Sequence, residues 1–266
     1  MNTLKNIKNN PIGFFDSGVG GLTVYSKFRK LLPNENCLYY GDTANLPYGT
    51  KSKEELITFA KNIMDFFTDK NVKAVVIACN TSSSVAYNAI KDDYDFKIYP
   101  IIQCCSKIIA GLPIKKLGIF ATQATISSGV YSSEINKYNP DLLIYPQTCT
   151  GWVDIVENKS QDTPESTNLI KNNLLDMLKN SPDKIILGCT HYPYLKSILS
   201  NWVEIDKLID PADYFVEFIK NDLELNHLLK DDEKLGDEEI FVTSNPMQFK
   251  VSAEMFYNVL ELPTLI

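Results

Sequence analysis

No apolar run in this 266-residue chain approaches the roughly 20 residues that a membrane span requires, so no transmembrane segment is expected. The opening residues, MNTLKNIKNN, are polar and lack the apolar centre of a signal peptide, so a cytoplasmic protein is expected. Histidine is nearly absent, with only His191 and His227. None of the six cysteines (Cys37, Cys79, Cys104, Cys105, Cys149 and Cys189) forms a C-x-x-C pair. Zinc-finger spacing is therefore excluded, and in a reducing cytosol the cysteines are free thiols. Basic residues are outnumbered, 26 Lys and Arg against 33 Asp and Glu, for a net charge of −7. An acidic surface argues against nucleic acid and anionic membranes as main partners. The turn Gly18-Val19-Gly20-Gly21 resembles a dinucleotide loop but has Thr23 where the third glycine belongs.

What is present is an alternation of short apolar runs and amphipathic stretches. Strands are expected at 12–15, 38–40, 74–78, 98–102, 117–121, 142–145, 185–187 and 240–242. Residues 53–70 carry Leu56, Phe59, Ile63, Phe66 and Phe67 at helical spacing, with Ser52 and Glu55 placed for a capping box. Thr163-Pro164 reads as an N-cap and first helical position. Residues 230–239 read as a charged, solvated loop. Strands alternating with helices, and lacking polar alternation, predict an α/β fold with mainly parallel sheets covered on both faces. A weak repeat runs through the chain. GFFDSGVGG at 13–21 is answered by GIFATQAT at 118–125, and VVIACNTSS at 75–83 by IILGCTHYP at 185–193. Same order and similar spacing predict two pseudo-symmetric, doubly wound α/β domains with a site in the cleft between them.

In open α/β sheets ligands bind beyond the carboxyl ends of strands. Four polar clusters fall at such ends: Asp16-Ser17-Gly18, Gly41-Asp42 leading to Pro47-Tyr48-Gly49, Cys79-Asn80-Thr81 and Cys189-Thr190-His191. A free cysteine is usually a small buried hydrophobe. Two in equivalent positions, each before an expected helix start (Ser82 and Pro193) and each flanked by threonine, point instead to chemistry. Inverting a stereocentre beside a carboxylate requires a base on one face of the carbon and an acid on the other. Two facing domains, each presenting one thiol, supply that arrangement. Ser17, Gly49, Asn80, Thr81 and Thr190 and the glycine-turn N–H groups could hold a carboxylate. Asp16 could orient an ammonium group, assist Cys79, or cap a helix. His191 could tune Cys189 or shuttle its proton, whereas His227 reads as a surface residue.

Taken together, FFDSGVGGLTV at 14–24, YYGDTANLPYGTKS at 39–52, VVIACNTSS at 75–83 and ILGCTHYPYLK at 186–196 resemble the glutamate racemase family of the aspartate/glutamate racemase superfamily. The resemblance spans nearly the whole chain. It implies racemisation of glutamate with no pyridoxal phosphate and no metal, D-glutamate supplied for peptidoglycan, and a homodimer. It implies Cys79 and Cys189 as the proton donor and acceptor. It implies Asp16, Ser17, Tyr48, Gly49, Asn80, Thr81, Thr190 and His191 as substrate contacts, with Asp16 and His191 also assisting the neighbouring thiols. Thr122 and Thr125 match a family pair near the distal carboxylate, and Glu157 a glutamate near the second thiol. The implied domains are 1–98 plus 211–266, carrying Cys79, and 99–210, carrying Cys189. One stretch departs. Where the family commonly has Ala-Cys-Pro before a Phe-Val-Pro-Leu-Val-Glu run, this chain reads TCTGWVDIVE at 148–157. The departure bears on the pocket wall, on Glu157, on the closure or dimer surface and above all on substrate preference. Rival readings are a racemase for another amino acid, a Cys189–His191 acyl-transfer enzyme that does not need Cys79, and a binding protein that needs neither thiol.

Overall fold

The computed structural model describes residues 7–266, and residues 1–6 of the polar N-terminal stretch lie outside the described residues. Among the described residues, ten strands form two sheets: β1 Ile12–Asp16, β2 Cys37–Gly41, β3 Ala74–Ile77, β4 Lys97–Pro100, β5 Lys116–Ala121, β6 Leu143–Thr148, β7 Lys184–Gly188, β8 Leu208–Ile209, β9 Glu238–Val242 and β10 Thr264–Leu265. The first sheet has the order β10-β9-β2-β1-β3-β4 and the second β6-β5-β7-β8. Every pairing is parallel. The fold is thus α/β with two parallel sheets, as the alternation of elements predicts.

The repeat is visible in the topology. In each sheet the first strand is central, the next lies on one side of it and the third on the other, so β2-β1-β3-β4 corresponds to β6-β5-β7-β8. That reversal is the topological switch point at which open α/β sheets place their ligands. Register aligns the strand ends: Phe15 pairs with Ile77, and Ala121 with Gly188. Cys79 and Cys189 therefore emerge at matching places. The repeated glycine has a packing reason. A Cβ on Gly13 would lie 2.7 Å from the Phe67 ring, and one on Gly118 2.6 Å from Met177 Sδ. Phe67 belongs to the helix Lys53–Asp69 and Met177 to the helix Pro164–Leu178, so in each unit a helix rests directly on its central strand.

The Ser52–Glu55 capping box is formed, and Thr163 caps its helix with Pro164 in the first turn. The apolar run at 98–102 is not one strand: β4 ends at Pro100, and Ile101 opens a helix to Ala110 that buries Ile101 and Ile102. A short apolar run has no periodicity to separate strand from buried helix. The helix after Cys79 starts at Asn80, not Ser82, because Cys79 itself is the N-cap. After Cys189 a 3₁₀ turn begins at Tyr192, one residue before Pro193. The loop expected at 230–239 ends sooner, since β9 starts at Glu238, and the two-residue strands β8 and β10 were too short to anticipate. His227 is exposed just beyond the helix Pro211–Leu225. Among the described residues, no helix is long and apolar enough to cross a membrane.

Candidate active site

Between the carboxyl ends of the two sheets lies a cavity of about 150 Å³. Its wall includes Ser17, Tyr48, Gly49, Cys79, Asn80, Thr81, Cys189, Thr190 and His191, nine of the ten site residues expected from sequence. The tenth, Asp16, is not in the wall. It is completely buried behind it, accepting from Gly18 N–H at 3.0 Å and from Thr190 Oγ1 at 3.3 Å. Burial raises its pKa above the ordinary value, against the opposing pull of His191 and its hydrogen bonds.

The two thiols have different surroundings. Cys79 is the N-cap of the helix Asn80–Val85, and its Sγ accepts from Ser82 N–H at 3.5 Å. Burial, reinforced by the Asp16 carboxylate, pushes this thiol up to about 12. Cys189 has an imidazole for a neighbour: His191 Nδ1 lies 3.8 Å from its sulfur, and His191 Nε2 lies 2.9 Å from Glu157 Oε1. Burial pulls the His191 pKa down, but its bonds to Cys189 and Glu157 outweigh this and lift it to about 10.

Hydroxyls and amides furnish the remaining polarity. Thr81 Oγ1 lies 2.9 Å from Thr122 Oγ1 and 3.3 Å from Thr125 Oγ1, and the latter two are 3.0 Å apart. This triangle joins the first unit to the second. Thr122 caps the helix Gln123–Ser128, accepting from Thr125 N–H. Asn80 Oδ1 accepts from Tyr131 at 2.6 Å, which fixes the amide. The Tyr48 hydroxyl donates to buried Asp42, which also accepts from Asn45 at 3.0 Å and Thr243 at 2.9 Å. Burial and Asp42 together hold that phenol protonated. No lysine or arginine lines the cavity among the described residues, so an anionic ligand would be held by N–H and O–H dipoles with His191 nearby.

The divergent 148–157 segment runs from the end of β6 into the helix Trp152–Glu157. Cys149, Thr150, Gly151, Val153 and Asp154 line the cavity, so this stretch bears on the pocket wall as the departure from the family pattern implied, although the sequence did not say which of its residues face inward. Trp152 points into the core instead, with ring centroids 5.0 Å from both Phe120 and Tyr192, and its Nε1–H donates to Asn173 Oδ1 at 3.0 Å. Cys149 cannot bridge to Cys189 without backbone movement. The two leave β6 and β7 on opposite sides of β5, about 10 Å apart at two strand spacings, beyond disulfide reach.

Comparison with known proteins gives consistent matches. The profile of the Asp/Glu/hydantoin racemase family matches residues 12–219. The glutamate racemase of Nostoc sp. is 38% identical over 216 residues, 81% of this chain and 74% of that protein. Glutamate racemase 2 of Caldanaerobacter subterraneus subsp. tengcongensis is 37% identical over 250 residues, 92% of each. The crystal structure of glutamate racemase from Francisella tularensis subsp. tularensis, in complex with D-glutamate, superposes with a TM-score of 0.91 at 32% identity, covering 97% of this chain and 98% of that one.

Proposed function

The chain belongs to the Asp/Glu/hydantoin racemase family, and from that membership and the cavity's geometry we propose that it is a glutamate racemase in which Cys79 and Cys189 exchange protons with Cα. The observation that carries the mechanism is the pair of thiols, at equivalent strand ends of two pseudo-symmetric units, lining one small cavity. A thiolate on one side removes the α-proton. The carbanionic intermediate flattens, and the thiol on the other side returns a proton to the opposite face. The roles reverse with the hand of the substrate, so the two side chains suffice and no cofactor is needed in this reading.

The α-carbon becomes acidic only if negative charge on the carboxylate is stabilised. Ser17, Asn80, Thr81, Gly49 and Thr190 offer neutral donors and dipoles for that purpose, and Tyr48 shapes the wall beside them. The Thr81–Thr122–Thr125 triangle is the place for the distal carboxylate, replacing hydroxyl-to-hydroxyl bonds with bonds to the ligand. His191, held by Glu157, sets positive charge beside Cys189, and Asp16 acts from behind Thr190.

Several further expectations belong to the same reading: D-glutamate for peptidoglycan, a homodimer, cytoplasmic location and no nucleic-acid or membrane partner. They rest on the family resemblance, on the polar opening stretch and on the net charge of −7. The division into 1–98 plus 211–266 and 99–210 is supported by sheet membership, because β9 and β10 return to the first sheet while β5 to β8 make the second. Since β4 runs to Pro100, the first boundary falls best at its end.

The test is incubation of purified protein with L-glutamate in D₂O without pyridoxal phosphate. Deuterium should enter Cα as optical rotation decays to zero. No exchange with glutamate or any other acidic amino acid would sink the racemase reading. Cys79→Ser and Cys189→Ser should each stop conversion from both enantiomers, whereas full activity in Cys79→Ser would favour the single-nucleophile alternative.

A further inference from the structure

Ser82 holds the only buried side-chain oxygen or nitrogen without a hydrogen-bond partner among the described residues. Its neighbours in the same serine run are satisfied. Ser83 Oγ donates to Gln103 Oε1 at 2.8 Å and accepts from Ile102 N–H, and Ser84 Oγ donates to the Thr81 carbonyl at 2.9 Å. A completely buried, orphaned hydroxyl costs stability, and its retention calls for an explanation. Its position supplies one. Ser82 is the third residue of the helix that Cys79 caps, the place from which a side chain reaches back toward the N-cap. Its backbone N–H already donates to the Cys79 sulfur.

We propose that Ser82 is a positioning residue for Cys79, its hydroxyl donating to the sulfur whenever that sulfur carries negative charge. The inference rests on the reading of Cys79 as an acid/base group. When Cys79 acts as base, the S–H bond forms as Cα–H breaks. When it acts as acid, S–H breaks and the thiolate is left facing the hydroxyl, which keeps its own proton throughout. Burial and Asp16 disfavour the Cys79 thiolate and the Ser82 N–H favours it, and the hydroxyl, unbonded in the present rotamer, would add to that N–H on turning to the sulfur. Cys189 has an imidazole 3.8 Å away, so an uncharged donor beside Cys79 is what distinguishes the two halves.

The test reads Cys79 directly: its alkylation by iodoacetamide at pH 8 in the intact protein, followed by mass mapping of the Cys79 peptide. Losing one hydrogen bond to a charged sulfur should raise the thiol pKa by about one unit. The thiolate fraction then falls about tenfold, partly offset by about threefold greater nucleophilicity, so alkylation of Ser82→Ala should slow about threefold. Cys189 alkylation should not change, and the melting temperature should hold or rise because an unsatisfied hydroxyl has been removed. Ser82→Thr should keep the wild-type rate, whereas Ser82→Val, of the same shape without the hydroxyl, should lose it. That pair decides the matter if Ser82→Ala does not fold. Equal Cys79 rates in Thr and Val variants overturn the proposal. Slowed alkylation in a protein that does not racemise glutamate would retain the Ser82–Cys79 contact and reject the catalytic reading on which its purpose rests.

Discussion

Gly20 offers a sharp test of how closely the two halves of the site are fitted together. A Cβ at this position would lie 2.4 Å from Thr190 Oγ1, 2.5 Å from His191 Cε1 and 2.6 Å from His191 Nδ1. Ordinary contact needs about 3.5 Å or more, so Gly20→Ala demands a shift of about 1 Å. Neither neighbour yields cheaply. Thr190 is tied through its carbonyl to Thr23 at 2.9 Å and through its hydroxyl to Asp16. His191 is 2% exposed and anchored by Glu157. The imidazole that faces Cys189 must therefore move. Misplacement by about 1 Å can cost about 100-fold in rate, equivalent to about 2.7 kcal/mol of barrier. Overpacking should separately cost about 1–3 kcal/mol of stability. The assay is the initial rate of Cα deuterium incorporation into L-glutamate, read by NMR at a temperature where a parallel melting curve shows the variant folded. Gly111→Ala is the control, since a Cβ there comes no closer than 3.4 Å to any atom, and it should stay within about twofold of wild type. If Gly20→Ala also kept its rate within about threefold, the inference that this turn fixes His191 against Cys189 would be wrong.

Other perturbations probe the frame around the site. Trp152→Ala removes a fully buried indole packed between Phe120 and Tyr192 and should cost about 3–5 kcal/mol in denaturant unfolding; a loss under about 1 kcal/mol would mean the divergent segment is not anchored there. Glu35→Gln leaves the buried Lys73 ammonium, which is outside the cavity wall, with the Lys8 and Leu228 carbonyls but no counter-charge, and should cost about 3–5 kcal/mol while leaving the exchange rate intact when folded. The His191 pKa is raised to about 10 from 6.5, so the stability it contributes is complete below about pH 6.5 and lost as pH rises through about 10. In Glu157→Gln the loss should still begin near pH 6.5, where the unfolded imidazole titrates, but end at lower pH and be smaller, and superimposable melting-temperature profiles for the two proteins from pH 6 to 10.5 would contradict the pairing.

The fold was legible because its elements are locally consistent. Buried parallel strands appear as short apolar runs, the Lys53–Asp69 helix has both period and cap, and Gly13 and Gly118 mark the same packing need twice. The thiols were legible only as a pair, since each alone is a buried strand-end cysteine. What stayed hidden depends on distant contacts. Nothing near Asp16 in sequence reveals that Thr190 bonds to it across 174 residues. Nothing in TCTGWVDIVE separates Trp152, which faces the core, from Asp154, which faces the cavity. Ser82 could not be told from Ser83 and Ser84 until their partners were seen.

Pseudo-symmetry of the frame does not extend to the groups around the sulfurs, and this has a kinetic consequence. Cys79 is served by a helix N-cap and neutral donors, and Cys189 by an imidazole held on a carboxylate. The enantiomers of glutamate have equal free energy in water, so the equilibrium constant is one and kcat/KM must be the same in both directions. Non-equivalent thiols can therefore show only in kcat and KM taken separately, through the populations of the two bound states. His191→Asn removes the charged neighbour from one sulfur alone. It should lower kcat/KM equally for L- and D-glutamate but change the two kcat values by different factors, measured by following each enantiomer to racemate. If both kcat values fell by one common factor, the two sulfurs would be energetically equivalent despite their surroundings, and the division of labour drawn from His191 and Glu157 would have to be abandoned.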